Sequence, residues 1–341
     1  MTANDAPRPW TMQQIAEAAG VSATTVSHAI SGKRPVGAET ARRIRRLIDE
    51  HGYVPDAAGR RLRTGRSRML GLAIPDLAAW FFARIAKGVE EVADARDHGL
   101  IVCSTAGSDP RREQRCFELV RTRAIDGLVY TAGRRPADLG GLRRIAEVAP
   151  LVLADEVIDG LDGVPAIASD NETGAAEAAR HLRALGHERV VVLAGVPGLR
   201  STIDRTAGAR AVFPHALVLA GDFEQESGAR LTGDLLESGT PFTAILAQND
   251  LMAIGAIRRL AEAGLRVPED VSVVGFDDIG LASFVEPGLT TVRQDVVEMG
   301  RRAASVALDA IEGAGSAAPP AALLPVELVV RGSTGRARER P

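Results

Sequence analysis

From residue 69 onward the sequence alternates short apolar runs with longer amphipathic stretches, and this rhythm limits the fold more than any other feature. The apolar runs fall at 70–74, 100–103, 127–130, 151–154, 190–194, 216–219, 244–247 and 271–276, and helical stretches such as 82–96, 110–123, 174–185, 227–238 and 249–263 separate them. A strand buried on both faces reads as an unbroken apolar run, and a helix between two such strands returns the chain to begin the next in the same direction. The pattern predicts parallel sheets covered by helices. A chain of 341 residues also exceeds the size at which single cores stop growing, roughly 250–300 residues, so two or three domains are expected.

Several chemistries are disfavoured by what these strands lack. None is followed by G-x-G-x-x-G, G-x-x-x-x-G-K-[ST] or G-x-S-x-G, which removes the usual dinucleotide loop, phosphate loop and nucleophile elbow. Two cysteines, Cys103 in a strand and Cys116 in a helix, are too few for a disulfide framework or a cysteine zinc site. The six histidines show no metal-ligand spacing, and His181 and His187 read as surface or half-buried residues. No metal, cofactor or enzymatic activity is expected. No apolar run approaches the roughly 18–20 residues that span a bilayer, and MTANDAPRPWTMQQ has no secretory pattern, so a cytoplasmic protein without membrane contact is expected.

The net charge of −3 conceals a segregation: residues 1–68 hold 12 Lys and Arg against 6 Asp and Glu, and the remainder 29 against 38. A basic head on an acidic body suits a nucleic-acid-binding module fused to something else, because neutralising phosphates drives association. Within the head, Thr11-Met12-Gln13-Gln14 fits a capping box, and a helix starting there would carry Ile15, Ala16 and Ala19 inward and stop at Gly20. Ser22 can cap a second helix with Val26, Ala29 and Ile30 inside, and a third over 38–51 buries Ala41, Ile44, Leu47 and Ile48 while exposing Arg42, Arg43, Arg45 and Arg46. Two short helices around a tight Gly turn make a helix-turn-helix, whose second helix lies in the major groove. Its outward residues are the candidate readers: Ala23 for a thymine methyl, Thr24 and His28 for base edges, Thr25 and Ser27 for phosphates.

The ordered series Ala16-x-x-Ala19-Gly20-Val21-Ser22-x-x-Thr25-Val26-Ser27-His28-x-Ile30, then Pro35-Val36, His51-Gly52-Tyr53-x-Pro55 and Arg60-x-Leu62-Arg63-Thr64-Gly65, resembles the LacI/GalR family of bacterial transcriptional regulators. His28 is similar to the residue of the family's purine repressor. The resemblance implies a head at 11–52 and a hinge at 53–68 that forms a helix on DNA. Tyr53 would join the DNA-contacting set, and Leu62 would wedge into the minor groove. Asp56 stands where Asn is usual and Gly59 where Ala is usual; Gly inside a helix costs about 1 kcal/mol against Ala, which predicts a softer hinge.

The body resembles the same family through such stretches as Asp126-Gly127-Leu128, Asn249-Asp250-x-Met252-Ala253, Val274-Gly275-Phe276-Asp277-Asp278 and Leu289-Thr290-Thr291-Val292-x-Gln294. This implies a two-lobed, periplasmic-binding-protein-like (type I) α/β core over 69–332. The N-lobe would span about 69–168 and 295–323, and the C-lobe 169–294 and 324–332. Open α/β sheets bind ligands beyond the carboxyl ends of their strands, where Asp250 and Asp277 fall. Either carboxylate can accept bonds from a small polar ligand, although Asp277 is equally well placed to cap the next helix. Arg205, Phe82, Phe223 and Gln294 match the family's effector-contacting positions, a set that suits a sugar or a nucleobase. Departures from the family pattern are Ala79-Trp80 in place of Asn-Pro, Leu199 where the purine repressor has a second effector Arg, and a segment after Arg205 shorter by about ten residues, which predicts a truncated helix.

The expectation is therefore a sequence-specific regulator, most simply a repressor, that binds a palindromic operator as a homodimer under control of a small effector held between the lobes. A solute receptor sharing the body's fold would need a signal sequence and no basic head. An α/β enzyme using Asp250 or Asp277 as base would need a nucleophile, metal or cofactor loop beside them.

Overall fold

The computed structural model describes residues 10–31, 34–53, 65–136, 138–314 and 321–338. The chain divides into two compact units, Met1–Ser67 and Arg68–Pro341. The first is built from α1 (Met12–Ala18), α2 (Ala23–Ser31) and α3 (Ala38–His51). Thr11 begins α1 with the full capping box, its hydroxyl accepting from Gln14 N–H while the Gln14 side chain accepts from Thr11 N–H at 2.8 Å. Gly20 sits between the first two helices at φ +63°, a conformation that side chains resist and that the tight turn requires. Ile15, Ala16, Ala19, Val26, Ile44 and Tyr53 form a small closed core, and Trp10 stacks on His51 with ring centroids 3.5 Å apart.

The second unit holds two six-stranded sheets. The first has the order β11-β5-β4-β3-β1-β2, from β1 (Met69–Ile74), β2 (Gly99–Ser104), β3 (Gly127–Tyr130), β4 (Leu151–Ala154), β5 (Ala166–Ser169) and β11 (Ala321–Leu324). The second runs β12-β10-β9-β8-β6-β7, from β6 (Val190–Ala194), β7 (Leu217–Ala220), β8 (Ala244–Ala247), β9 (Ser272–Asp277), β10 (Thr290–Gln294) and β12 (Val326–Val329). Every pairing is parallel except β10 with β12. All eight apolar runs form strands, each displaced by at most one residue. The four additional strands are β5, a short Ala-Ile-Ala-Ser segment, β10, and the pair β11 and β12.

The chain crosses between the sheets after β5, β10 and β11. Helices α4 (Trp80–Ala95), α5 (Pro110–Arg121), α6 (Leu139–Val148) and α11 (Val296–Glu312) cover the first sheet, and α7 (Asn171–Ala184), α8 (Arg200–Val212), α9 (Gln225–Glu237) and α10 (Asp250–Glu262) the second. Although α11 comes late in the chain, its Met299, Ala303, Ala307 and Leu308 are buried with Leu72 and Val89 of the first lobe. Gly88 of α4 and Gly300 of α11 let the two helices cross in backbone contact, since a Cβ at either would collide with the other's main chain. Arg96 ties the far ends together, donating to Asp309 at 2.7 Å and to Glu312. Helix α8 runs seven residues past Arg205 before the turn into β7.

His187 corrects an expectation. It is 2% exposed rather than half-buried, because Nδ1 bonds Thr243 Oγ1 at 2.9 Å while Nε2 lies 3.0 Å from both Ser272 Oγ and the Gly335 carbonyl. That polar nest comes partly from the C-terminal segment, which returns over the second lobe and also buries Ser333. Burial holds the His187 imidazole below its ordinary pKa, and nearby His181 adds to this.

Candidate functional site

In the head, Ser22 accepts from Thr25 N–H at 3.1 Å and lies 2.9 Å from the Thr25 hydroxyl, so the cap fixes where α2 begins. Thr24 is exposed at that N-terminal end, while Ala23, Thr25, Ser27 and His28 are half-buried. Val26 faces the core, which turns Thr24 and His28, four residues apart, away from it. Arg42, Arg43, Arg45 and Arg46 are all exposed on α3. Tyr53, expected in the DNA-contacting set, is 7% exposed with its ring in the head's core, so packing accounts for its position. Leu62, Asp56 and Gly59 lie outside the described residues.

In the body, a cavity of about 990 Å³ opens between the lobes. Residues at or just beyond the carboxyl ends of β1, β4, β8 and β9 line it, at Pro75, Asp155, Asn249 and Asp277, as a parallel sheet's geometry requires. Arg205, Phe82, Phe223 and Asp277 all face it. Phe82 also packs against the first lobe's core, so its ring is shared between the cavity and that core. Phe223 takes φ +71°, and the missing Cβ of Gly195 is the space its ring occupies.

Arg205 is 3% exposed and held from several sides: Nε donates to Asn171 Oδ1 at 2.7 Å, Nη1 donates to the Gln248 carbonyl at 2.5 Å, and its guanidinium carbon sits 3.9 Å from the Phe276 ring centroid. Asp277 lies 3.8 Å from Nη1 and accepts from Gln294 Nε2 at 2.6 Å. Burial pushes the Asp277 carboxyl up to about 6, against the opposing pull of Arg205 and Gln294. It caps no helix, since Ile279 precedes the following short 3-10 turn, Gly280–Ser283.

Two residues expected to touch the effector are placed behind the wall instead. Asp250 is fully buried, and both its oxygens are taken within the second lobe: Ile279 N–H donates at 2.8 Å and Thr291 Oγ1 at 2.5 Å. Its carboxylate faces away from the cavity because the first residue of α10 is turned onto β10 by these bonds, and burial raises its pKa well above the ordinary range. Gln294 likewise does not line the cavity, and it acts on it through Asp277.

Sequence reasoning missed the first lobe's contribution. Asp155 and Glu156 follow β4 and line the cavity at 8% and 3% exposure. Glu156 accepts from Ser201 N–H at 3.1 Å and from the Ser201 hydroxyl, which joins the lobes beside the cavity. Burial raises both carboxyls, Asp155 strongly and with help from the Glu156 charge. The signal was available, since Asp155 follows an apolar run in the same way as Asp277. Asn249 caps α10 by accepting from Met252 N–H at 2.9 Å and fixes Phe223 by donating to its carbonyl at 2.7 Å. Trp80, at the family's usual proline position, is 40% exposed at the cavity with Arg84 above its ring. Among the described residues no cluster of His, Cys, Asp and Glu is arranged to hold a metal ion, and no helix is long and apolar enough to cross a membrane.

Comparison with known proteins matches residues 11–56 to the model for bacterial regulatory proteins of the lacI family, and residues 179–334 to a periplasmic binding protein-like domain. The chain is 32% identical to the HTH-type transcriptional repressor CytR of Escherichia coli strain K12 over 334 residues, covering 95% of this chain and 96% of that one. It is 33% identical to the HTH-type transcriptional regulator DegA of Bacillus subtilis strain 168, covering 95% and 98%. Among solved structures, the lac repressor dimer bound to operator and the anti-inducer ONPF superposes with a TM-score of 0.85 at 30% identity, covering 96% of this chain and all of that one. A CelR–cellobiose complex does so with a TM-score of 0.73, also at 30% identity and with the same coverage.

Proposed function

Because the chain belongs to the LacI family of bacterial regulatory proteins, we propose that it is a transcriptional repressor that binds a palindromic operator as a homodimer and changes its grip when a small polar molecule enters the interlobe cavity. The observation that carries this reading is the continuity of the match. One alignment with a transcriptional repressor runs through the helix-turn-helix and both lobes of the body, leaving only about a twentieth of the chain outside it. A two-fold dimer presents two heads to two half-sites, so operator symmetry mirrors protein symmetry.

The proposed division of labour follows the geometry. Thr24 and His28 read bases, Ala23 meets a methyl group, and Thr25, Ser27 and the arginines of α3 hold phosphates. The hinge around Leu62 completes the contact in the minor groove, and its Gly59 raises the cost of ordering it. In the cavity, Arg205, Asp277, Phe82 and Phe223 bind the effector together with Asp155, while Asp250 and Gln294 support the wall. The effector acts by binding one conformation of the lobes better than another, since a ligand with equal affinity for both shifts nothing. The protein turns over no substrate and works in the cytoplasm.

Selection of binding sites from random duplex DNA by the full-length chain tests this. An inverted repeat should be enriched, footprinted by a dimer, and bound with an affinity that a metabolite extract changes. Enrichment of no sequence over random DNA defeats the proposal.

A further inference from the structure

We propose that the molecule taken by the interlobe cavity carries a protonated amine, seated against Asp155 and facing Asp277, on a body that offers an oxygen acceptor to Arg205. The inference rests on the cavity being the effector site and narrows the chemistry of what enters.

Asp155 is the first residue beyond β4 and is nine-tenths buried, at φ +73°. Its backbone N–H is spent on the Ile167 carbonyl at 2.8 Å. No donor among the described residues bonds its carboxylate, which is left with the cavity it lines. Beside it Glu156 is satisfied by Ser201, and at the end of β9 stands Asp277, also buried at the cavity. These three carboxylates share one buried cation, Arg205, which already serves Asn171 and Gln248. At the rim, Arg112 and Arg134 are exposed, and Asp76, Asp222 and Glu224 more than offset them.

An ionised carboxylate removed from water needs both hydrogen-bond donors and opposite charge. A neutral polyol supplies the first and not the second; an anion adds to the excess. An ammonium group supplies both, with three donors and no acceptor. The flanking faces of Trp80, Phe82 and Phe223 also attract a cation held near them. Arg205 needs an acceptor, so the amine must be carried on a body with a hydroxyl or carbonyl oxygen. Burial and the Glu156 charge push the Asp155 carboxyl upward against the pull of Arg205, and a second cation seated beside it would oppose that push as well.

Thermal denaturation of the full-length protein with matched compounds tests this: 2-amino-2-deoxyglucose with glucose, galactosamine with galactose, serinol with glycerol, and glucose 6-phosphate as the anion. At least one amine should raise Tm with concentration, its neutral twin binding at least tenfold more weakly. Asp155→Asn should erase that preference while leaving the unliganded Tm equal or higher, because it removes a charge with no partner. A neutral or anionic member that binds as well as the amines, or an Asp155→Asn protein that loses unliganded stability, overturns the amine and leaves the cavity's effector role standing. Amine binding that persists in an Arg205→Ala, Asp277→Asn double variant, or no shift from any member, defeats both readings.

Discussion

The guanidinium of Arg205 and the carboxylate of Asp277 face each other at 3.8 Å, beyond direct hydrogen-bond reach, and each is held there by other residues. Asn171 and the Gln248 carbonyl fix the arginine, and Gln294 fixes the aspartate, so neither is free to swing and close the gap. The pair is a preformed donor and acceptor set at a cavity wall. A ligand then spends little on ordering protein side chains.

Asp277→Asn should separate this site from the fold. The neutral amide keeps the side chain's shape, and because burial outweighs the pull of Arg205 on this carboxylate, the fold should lose nothing at neutral pH while the effector's influence on operator binding is abolished. The pH behaviour gives a second check. The folded pKa, about 6, exceeds the ordinary 3.8, so the group's stabilising contribution is present below 3.8 and is lost as pH rises through 6. The wild type minus variant stability difference, measured by denaturant unfolding, should therefore fall across that window. A flat difference would show that Asp277 is not buried as described.

Asp250→Ala should do the opposite. It strands the Ile279 N–H and the Thr291 hydroxyl inside the second lobe, each costing about 1–3 kcal/mol when left unpaired. The protein should melt earlier yet keep its effector preference. Equal stability with altered effector choice would return Asp250 to the binding surface.

These two aspartates show how far the sequence was legible. The rule that ligands sit beyond strand ends picks out both, and it applies equally to Asp155, which directly follows the apolar run at 151–154. What it lacks is the direction of the side chain. Asp277 and Asp250 each follow a strand, but only the second begins a helix and finds a backbone N–H and a hydroxyl within reach on neighbouring elements. Those partners lie 29 and 41 residues away, so no local pattern announces them. Eight of the strands were legible because each is a continuous apolar run. β5 was missed because Ala166-Ile167-Ala168-Ser169 is short and weakly apolar, and its burial comes from neighbours on both sides. The buried His187 escaped for the same reason as Asp250: its nest is assembled from Thr243, Ser272 and the C-terminal segment.

His187 makes stability depend on pH. Its folded pKa lies below the ordinary 6.5, so the unfolded chain takes up the proton first, and stability should be full above 6.5 and decline as pH falls toward the folded value. His181 is shifted the same way by burial and should add to the slope. Each unit of depression corresponds to about 1.4 kcal/mol. Measured against His187→Gln, which keeps a donor and an acceptor, the wild type should lose more stability as pH falls below 6.5. Parallel curves for the two proteins would count against a buried neutral imidazole.

The head's residues should separate into two classes by what their loss does to DNA binding. Thr24→Ala and His28→Ala remove groups turned outward on α2, and should each cost about 1–3 kcal/mol on the selected operator with little change on random DNA, relaxing base preference at one position per half-site. Arg42→Gln and Arg43→Gln should weaken binding to both DNAs alike and reduce the slope of log affinity against log salt, because each phosphate contact releases a condensed counterion. Thr25→Ala falls between the classes: its hydroxyl is engaged with Ser22, so its loss should loosen the start of α2 and weaken specific binding through helix stability, visible as a lower Tm of the head. Salt titrations of the five single variants on both DNAs check all of this. If Thr24→Ala and Arg42→Gln change the two affinities in the same ratio, α2 is not the reading helix.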